Sequence, residues 1–221
     1  KFVENKGYEP YLTSKYPDKK LAILTCMDTR LLELLPAALG IKNGDAKIIK
    51  NAGGVIVHPY GSVVRSLLVG ILELGVEEVM VIGHTDCGVQ GMDGSEMLDM
   101  LVERGIDQQH IDIVRHSGID LERWLGGFES VESSVHETVR RLKEHPLMPK
   151  DVRINGFIMD SATGELTRVE YQPEGYRITF VSPVFMMRRI SSSLTRLKSC
   201  WIISFMTLAV MEKSMSFCGE N

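Results

Sequence analysis

The sequence predicts an α/β protein in three layers: a mainly parallel central sheet of about four strands plus an antiparallel edge strand, with helices on both faces. Three observations carry this expectation. Short apolar runs with little polar alternation, such as Leu21 to Thr25, suit central strands covered on both sides. The stretches between such runs carry apolar residues at helical spacing. Strands that alternate with helices pair in parallel through right-handed crossovers.

In chain order, residues 1–20 are polar with scattered aromatics (Phe2, Tyr8, Tyr11, Tyr16) and end in Pro17-Asp18-Lys19-Lys20. They read as a frayed or helical arm leading to a turn, whose aromatics need a surface such as a partner subunit. Leu21 to Thr25 is the first strand and delivers Cys26 at its carboxyl end. Leu31, Leu32, Leu34, Leu35, Ala38 and Leu39 are spaced for a helix, which Gly40 stops. Asn43-Gly44-Asp45 turns the chain into a second strand, Ala46 to Ile49, which empties into Lys50-Asn51-Ala52-Gly53-Gly54. After Pro59 the positions Val63, Val64, Leu67, Leu68, Ile71 and Leu72 define a helix ended by Gly75; Val69 and Leu74 widen its apolar surface, so one face should meet the sheet and another a second subunit. Val79 to Ile82 is the third strand, running out at Gly83-His84.

Residues 93–127 are less regular. Met97, Leu98, Leu101 and Val102 suggest a helix stopped by Gly105, Ile106 to Arg115 a second, and Trp124 an anchor for the excursion. Ser130 reads as the N-cap of a helix with Val131, Val135, Val139 and Leu142 on one face, closed by Pro146 and Pro149. Val152 to Met159 is the fourth strand, Gly164 a turn, and the alternation of Leu166, Val169 and Tyr171 an antiparallel fifth strand at the edge. The expected organisation is an arm over 1–20, a main α/β domain over 21–175 and a C-terminal extension of unassigned role over 176–221. In that extension Cys200 to Met211 is almost wholly apolar but far short of the roughly 20 residues of a membrane span.

Composition narrows the function. The 221 residues are 44% hydrophobic and 24% charged, with a formal charge of -4 and no basic stripe in the first 175 residues, which gives no electrostatic case for nucleic acid as a partner. Four cysteines, two of them set among polar reactive residues, argue against a disulfide scaffold and for a reducing cytoplasm. No G-x-G-x-x-G follows the first strand, so a dinucleotide site is not expected.

The chemistry concentrates at two strand ends, where ligands gather in open α/β sheets. Cys26-Met27-Asp28-Thr29-Arg30 ends one run and His84-Thr85-Asp86-Cys87 ends another. Two thiols and an imidazole make a soft three-ligand set of the kind that holds Zn2+ with one position open. Taken singly, Cys26 would be an ordinary buried cysteine, Asp28 and Arg30 a solvated ion pair, and Lys50 to Gly54 an ordinary turn. The ordered combination is more specific. Cys26-x-Asp28-x-Arg30, then Lys50-Asn51-Ala52-Gly53-Gly54, then His84-x-x-Cys87, closely resembles the β-class carbonic anhydrases, especially their compact subgroup, from about Leu21 to Tyr171.

The resemblance implies one Zn2+ per chain on Cys26, His84 and Cys87, with Asp28 and Arg30 as a catalytic dyad beside it. It implies reversible hydration of CO2 to bicarbonate and a proton by a zinc-bound hydroxide, in homodimers or higher assemblies. It also implies a closed state in which Asp28 becomes a conditional fourth ligand. Gly53 and Gly54 are expected to let the backbone pass close to the substrate pocket, with Val55 and Ile56 as apolar lining, and Thr85, Asp86 and Gly88 to hold the ligands in aim. His58 reads as an ordinary loop histidine more readily than as a proton shuttle. Two alternatives share the motif: a CS2 or COS hydrolase on the same zinc centre, and a non-catalytic zinc-binding module.

Overall fold

The computed structural model describes residues 1–172 and 175–180. Its sheet has six strands in the order β2-β1-β3-β4-β5-β6: β1 (Leu21–Cys26), β2 (Ala46–Asn51), β3 (Glu78–His84), β4 (Arg153–Met159), β5 (Leu166–Gln172) and β6 (Gly175–Phe180). The first four are parallel and the last two antiparallel. Among the described residues six α-helices accompany it: α1 (Leu31–Leu39), α2 (Ser62–Leu74), α3 (Gly94–Glu103), α4 (Gln108–His116), α5 (Leu121–Leu125) and α6 (Val131–Glu144). The expected edge strand is therefore the inner member of an antiparallel edge pair. Val169 of β5 sits opposite Gly156 on one side and Ile178 on the other. The apolar stretch Cys200 to Met211 lies outside the described residues, and among those described no helix is long and apolar enough to cross a membrane.

The strands that carry the site are the most deeply buried. Ala22, Ile23 and Leu24 of β1 and Val79, Met80, Val81 and Ile82 of β3 lie in the main core, as the unbroken apolar runs require. Thr25, polar but fully buried, donates its hydroxyl to the Ile82 carbonyl at 2.8 Å, so the one polar residue in the run ties β1 to β3 just below the site. Gly83 and Gly156 let α6 approach: a Cβ on either would come within 2.8 Å of Val135 or closer. Neither role shows in their local sequence.

Helix ends follow the expected signals. Gly40 and Gly75 adopt the left-handed conformation past α1 and α2, and the Ser130 hydroxyl accepts the Ser133 N–H at the start of α6. The arm is a series of turns with a short 3-10 segment, Glu9–Tyr11. It is tied to the turn before β2 by Asn43 Nδ2 donating to the Tyr11 carbonyl and by the Asp18 N–H donating to the Gly44 carbonyl. The excursion differs from its expected form. Leu98, Ile111 and Leu121 make a small core of its own, with Leu125 against it, whereas Trp124 is 57% exposed and is not a member of that core.

Candidate metal centre at the carboxyl ends of β1 and β3

Cys26 is the last residue of β1 and His84 the last of β3, adjacent strands in the sheet. Cys87 returns after a turn in which Asp86 holds a φ of 53°. The three buried side chains place one sulfur or nitrogen atom each within 4.8 Å of one another. The sulfurs of Cys26 and Cys87 are 3.9 Å apart. His84 Nδ1 donates to the Thr85 carbonyl at 2.9 Å, which leaves the lone pair on Nε2. That Nε2 is buried with no hydrogen-bond partner among the described residues. Buried polar atoms are rarely left so, and an orphaned nitrogen facing two thiols is the donor set of a soft cation.

Charge supports the same use. Burial pushes the Cys26 thiol up, but the facing His84 imidazole and the backbone N–H groups of Asp28 and Gly53 outweigh it and bring it down to about 7. Burial pushes the Cys87 thiol up, against the Val89 N–H on its sulfur, and nearby Cys26 adds to the rise. A cation between them would allow both to ionise.

Beside this group Asp28 and Arg30 form the expected pair. Asp28 Oδ1 accepts from Arg30 Nε at 3.0 Å and from the Arg30 backbone N–H at 2.9 Å, and Oδ2 accepts from Nη2 at 2.8 Å. The guanidinium holds the Asp28 carboxyl well below the usual carboxylate range, against partial burial. Oδ2 also lies 3.8 Å from His84 Nε2, so the carboxylate borders the place a cation would take. Asp86 sits in the turn between His84 and Cys87, and it also holds Arg30: Nη1 donates to its carboxylate and Nη2 to its carbonyl, each at 2.8 Å. Thr85 fits its expected bracing role, its N–H donating to Met159 at the end of β4.

Gly53 and Gly54 both lie against the site. A Cβ on Gly54 would come within 3.0 Å of the Thr25 backbone and 3.1 Å of the Cys26 nitrogen, so only glycine lets this loop pass the end of β1. Asn51 closes the loop by bonding both backbone groups of Val55. Ile56 is buried in the main core. His58 is an exposed loop residue, its Nδ1 accepting from the Tyr60 N–H. Two neighbours escaped the sequence reading: Val89, just past Cys87, and Phe128, at the far end of the excursion, both against Gly53.

Residues 21–166 match the carbonic anhydrase family model. The chain belongs to the β-carbonic anhydrase family. Among its relatives is "Putative carbonic anhydrase YvdA" of Bacillus subtilis, 52% identical over 75% of this chain and 84% of the relative. A carbon disulfide hydrolase of Acidithiobacillus thiooxidans is 30% identical over 73% of this chain and 80% of that protein. The crystal structure of β-carbonic anhydrase isoform I from Trichomonas vaginalis superimposes with a TM-score of 0.67 at 34% identity, over 75% of this chain and 93% of that one.

Proposed function

We propose that this β-carbonic anhydrase family member catalyses the reversible hydration of CO2 to bicarbonate and a proton, with one Zn2+ per chain held by Cys26, His84 and Cys87. The observation that carries the reading is the buried, unpartnered His84 Nε2 facing two sulfurs 3.9 Å apart, with the Asp28–Arg30 pair alongside. The donor set fits the ion: two zinc–sulfur bonds of about 2.3 Å at a tetrahedral angle put the sulfurs about 3.8 Å apart. Zinc bound there supplies a Lewis acid that brings the pKa of a water towards 7.

The thiolates of Cys26 and Cys87 offset the ion's charge, and residues of the chain must compensate. Asp28, kept ionised by Arg30, accepts a hydrogen bond from the attacking water and turns its remaining lone pair towards CO2. Arg30 fixes that carboxylate with its planar fork. Gly53 and Gly54 let the backbone pass close beside Cys26, and CO2, uncharged, needs only an apolar lining such as Val55 offers. Bicarbonate leaves as water returns, and the proton passes to solvent or buffer. The Asp28 carboxylate is also the group able to take the fourth ligand position when it leaves Arg30, which excludes water. A pH series of structures in which Asp28 stays on Arg30 at low pH would refute that closure.

The working unit is a homodimer or larger. What supports this is the outward face of α2, where Leu72 is 69% exposed, and the outer edge of β2, the terminal strand of the sheet. Thiol ligands suit the reducing cytoplasm. A second reading, hydrolysis of CS2 or COS at the same centre, has the carbon disulfide hydrolase relatives in its favour. Stopped-flow CO2 hydration across pH, with zinc measured on the same sample, tests the proposal. Stoichiometric zinc without hydration at any pH would reject it, and CS2 turnover would then favour the second reading.

A further inference from the structure

We propose that Phe128 sets which linear triatomic substrate this site accepts, its ring forming with Val55 and Val89 an apolar wall at Gly53; the proposal rests on the reaction assigned above. Three separate segments converge on that one α-carbon. A Cβ built on Gly53 would lie 3.0 Å from Phe128 Cε1, 3.4 Å from Val89 Cγ1 and 3.5 Å from Val55 Cγ1. The wall is joined to the ligands through backbone: the Gly53 N–H bonds the Cys26 sulfur and the Val89 N–H bonds the Cys87 sulfur. Phe128 and Val89 pack on the main core, and all three side chains are only partly buried, so each retains exposed surface.

Phe128 is held there by the neck of the excursion. Its carbonyl accepts the Gly91 N–H at 2.9 Å, the Gly127 N–H donates to the Met92 carbonyl at 2.9 Å, and Phe128 bridges to Gln90. Two residues later Ser130 caps α6. The backbone that carries the ring is therefore fixed on both sides.

CO2, COS and CS2 share a linear, uncharged shape and differ in bulk as sulfur replaces oxygen. Charge and hydrogen bonding give a site little to tell them apart, so the room beside the attacking water decides. An aromatic ring against Gly53 fills that room and favours the oxygen-ended molecule. Truncation of the ring favours the sulfur-ended one.

The test uses Phe128→Ala and Phe128→Leu, with Val89→Ala as a further variant should Phe128→Ala fail to fold. In cobalt-substituted protein the visible spectrum reports binding of cyanate and thiocyanate, linear anions that differ in the same oxygen-for-sulfur exchange. The ratio of thiocyanate to cyanate affinity should rise about tenfold in Phe128→Ala and less in Phe128→Leu and Val89→Ala. The ratio of kcat/KM for COS to that for CO2 in the zinc protein should move the same way. Anion ratios within twofold of the parent in every folded variant, with the anion-free cobalt spectrum unchanged, would overturn the proposal. A parent protein that binds the anions yet turns over neither substrate would sink the reaction assignment, while the anion ratio still decides the role of Phe128.

Discussion

The sheet and the excursion between β3 and α6 solve different problems with the same chain. β1 and β3 are sealed inside the main core, locked to each other by Thr25, and each ends on a residue of the proposed metal site. The excursion, α3 to α5, rests on a core of Leu98, Ile111 and Leu121, and its neck meets the site at Gly53 through Phe128. Atoms that must be placed to a fraction of an ångström sit on elements that cannot move without breaking the core. The lightly packed excursion can vary in length and content while its neck still presents a side chain to the site.

That contrast can be broken or sharpened by experiment. The largest effect is expected from Cys26→Ala or His84→Ala, which should reduce bound zinc to trace levels and CO2 hydration to background; full zinc content in either variant would remove the metal centre from the account. Asp28→Asn should keep its zinc but lower kcat/KM about 10³-fold, because the neutral amide orients the attacking water poorly. Metal analysis and stopped-flow rates on one sample distinguish the two cases.

Core truncations compare the regions directly. Leu24→Ala in β1 should cost about 4 kcal/mol and Leu98→Ala in the excursion about 2 kcal/mol, since the smaller cluster collapses more easily around the gap. Denaturant midpoints measure the difference. Hydrogen exchange should show Leu98→Ala loosening α3 to α5 with β1 and β3 still protected; uniform loosening would show that the two regions fold as one unit.

Smaller effects belong to α6, which joins the regions. Ser130→Ala removes the cap and should cost about 1 kcal/mol. Glu137 is bonded first by Arg140 and then by Arg141, which brings its carboxyl from 4.5 down to about 2. A depressed carboxyl adds stability above its unfolded value and loses it as pH falls through the folded one. Stability should therefore decline between about pH 4.5 and pH 2, by a few tenths of a kcal/mol for so exposed a pair. Glu137→Gln should flatten that part of the denaturation profile.

Much of this protein was legible in the sequence, because local spacing encodes local structure. Unbroken apolar runs marked the buried strands, helical spacing marked α1, α2 and α6, and Gly40, Gly75 and Ser130 marked helix ends, since backbone sterics and capping act within a few residues. The ordered motifs singled out Cys26, Asp28, Arg30, Gly53, Gly54, His84 and Cys87, all of which the fold gathers at one end of the sheet. Only tertiary structure decided the rest. That β5 has an outer neighbour, that Trp124 stays in solvent while Leu98, Ile111 and Leu121 pack, that Asp86 holds Arg30, and that Phe128 comes to Gly53 all depend on contacts between distant segments. Such contacts follow from how strands and helices pack in space, and spacing along the chain carries no record of them.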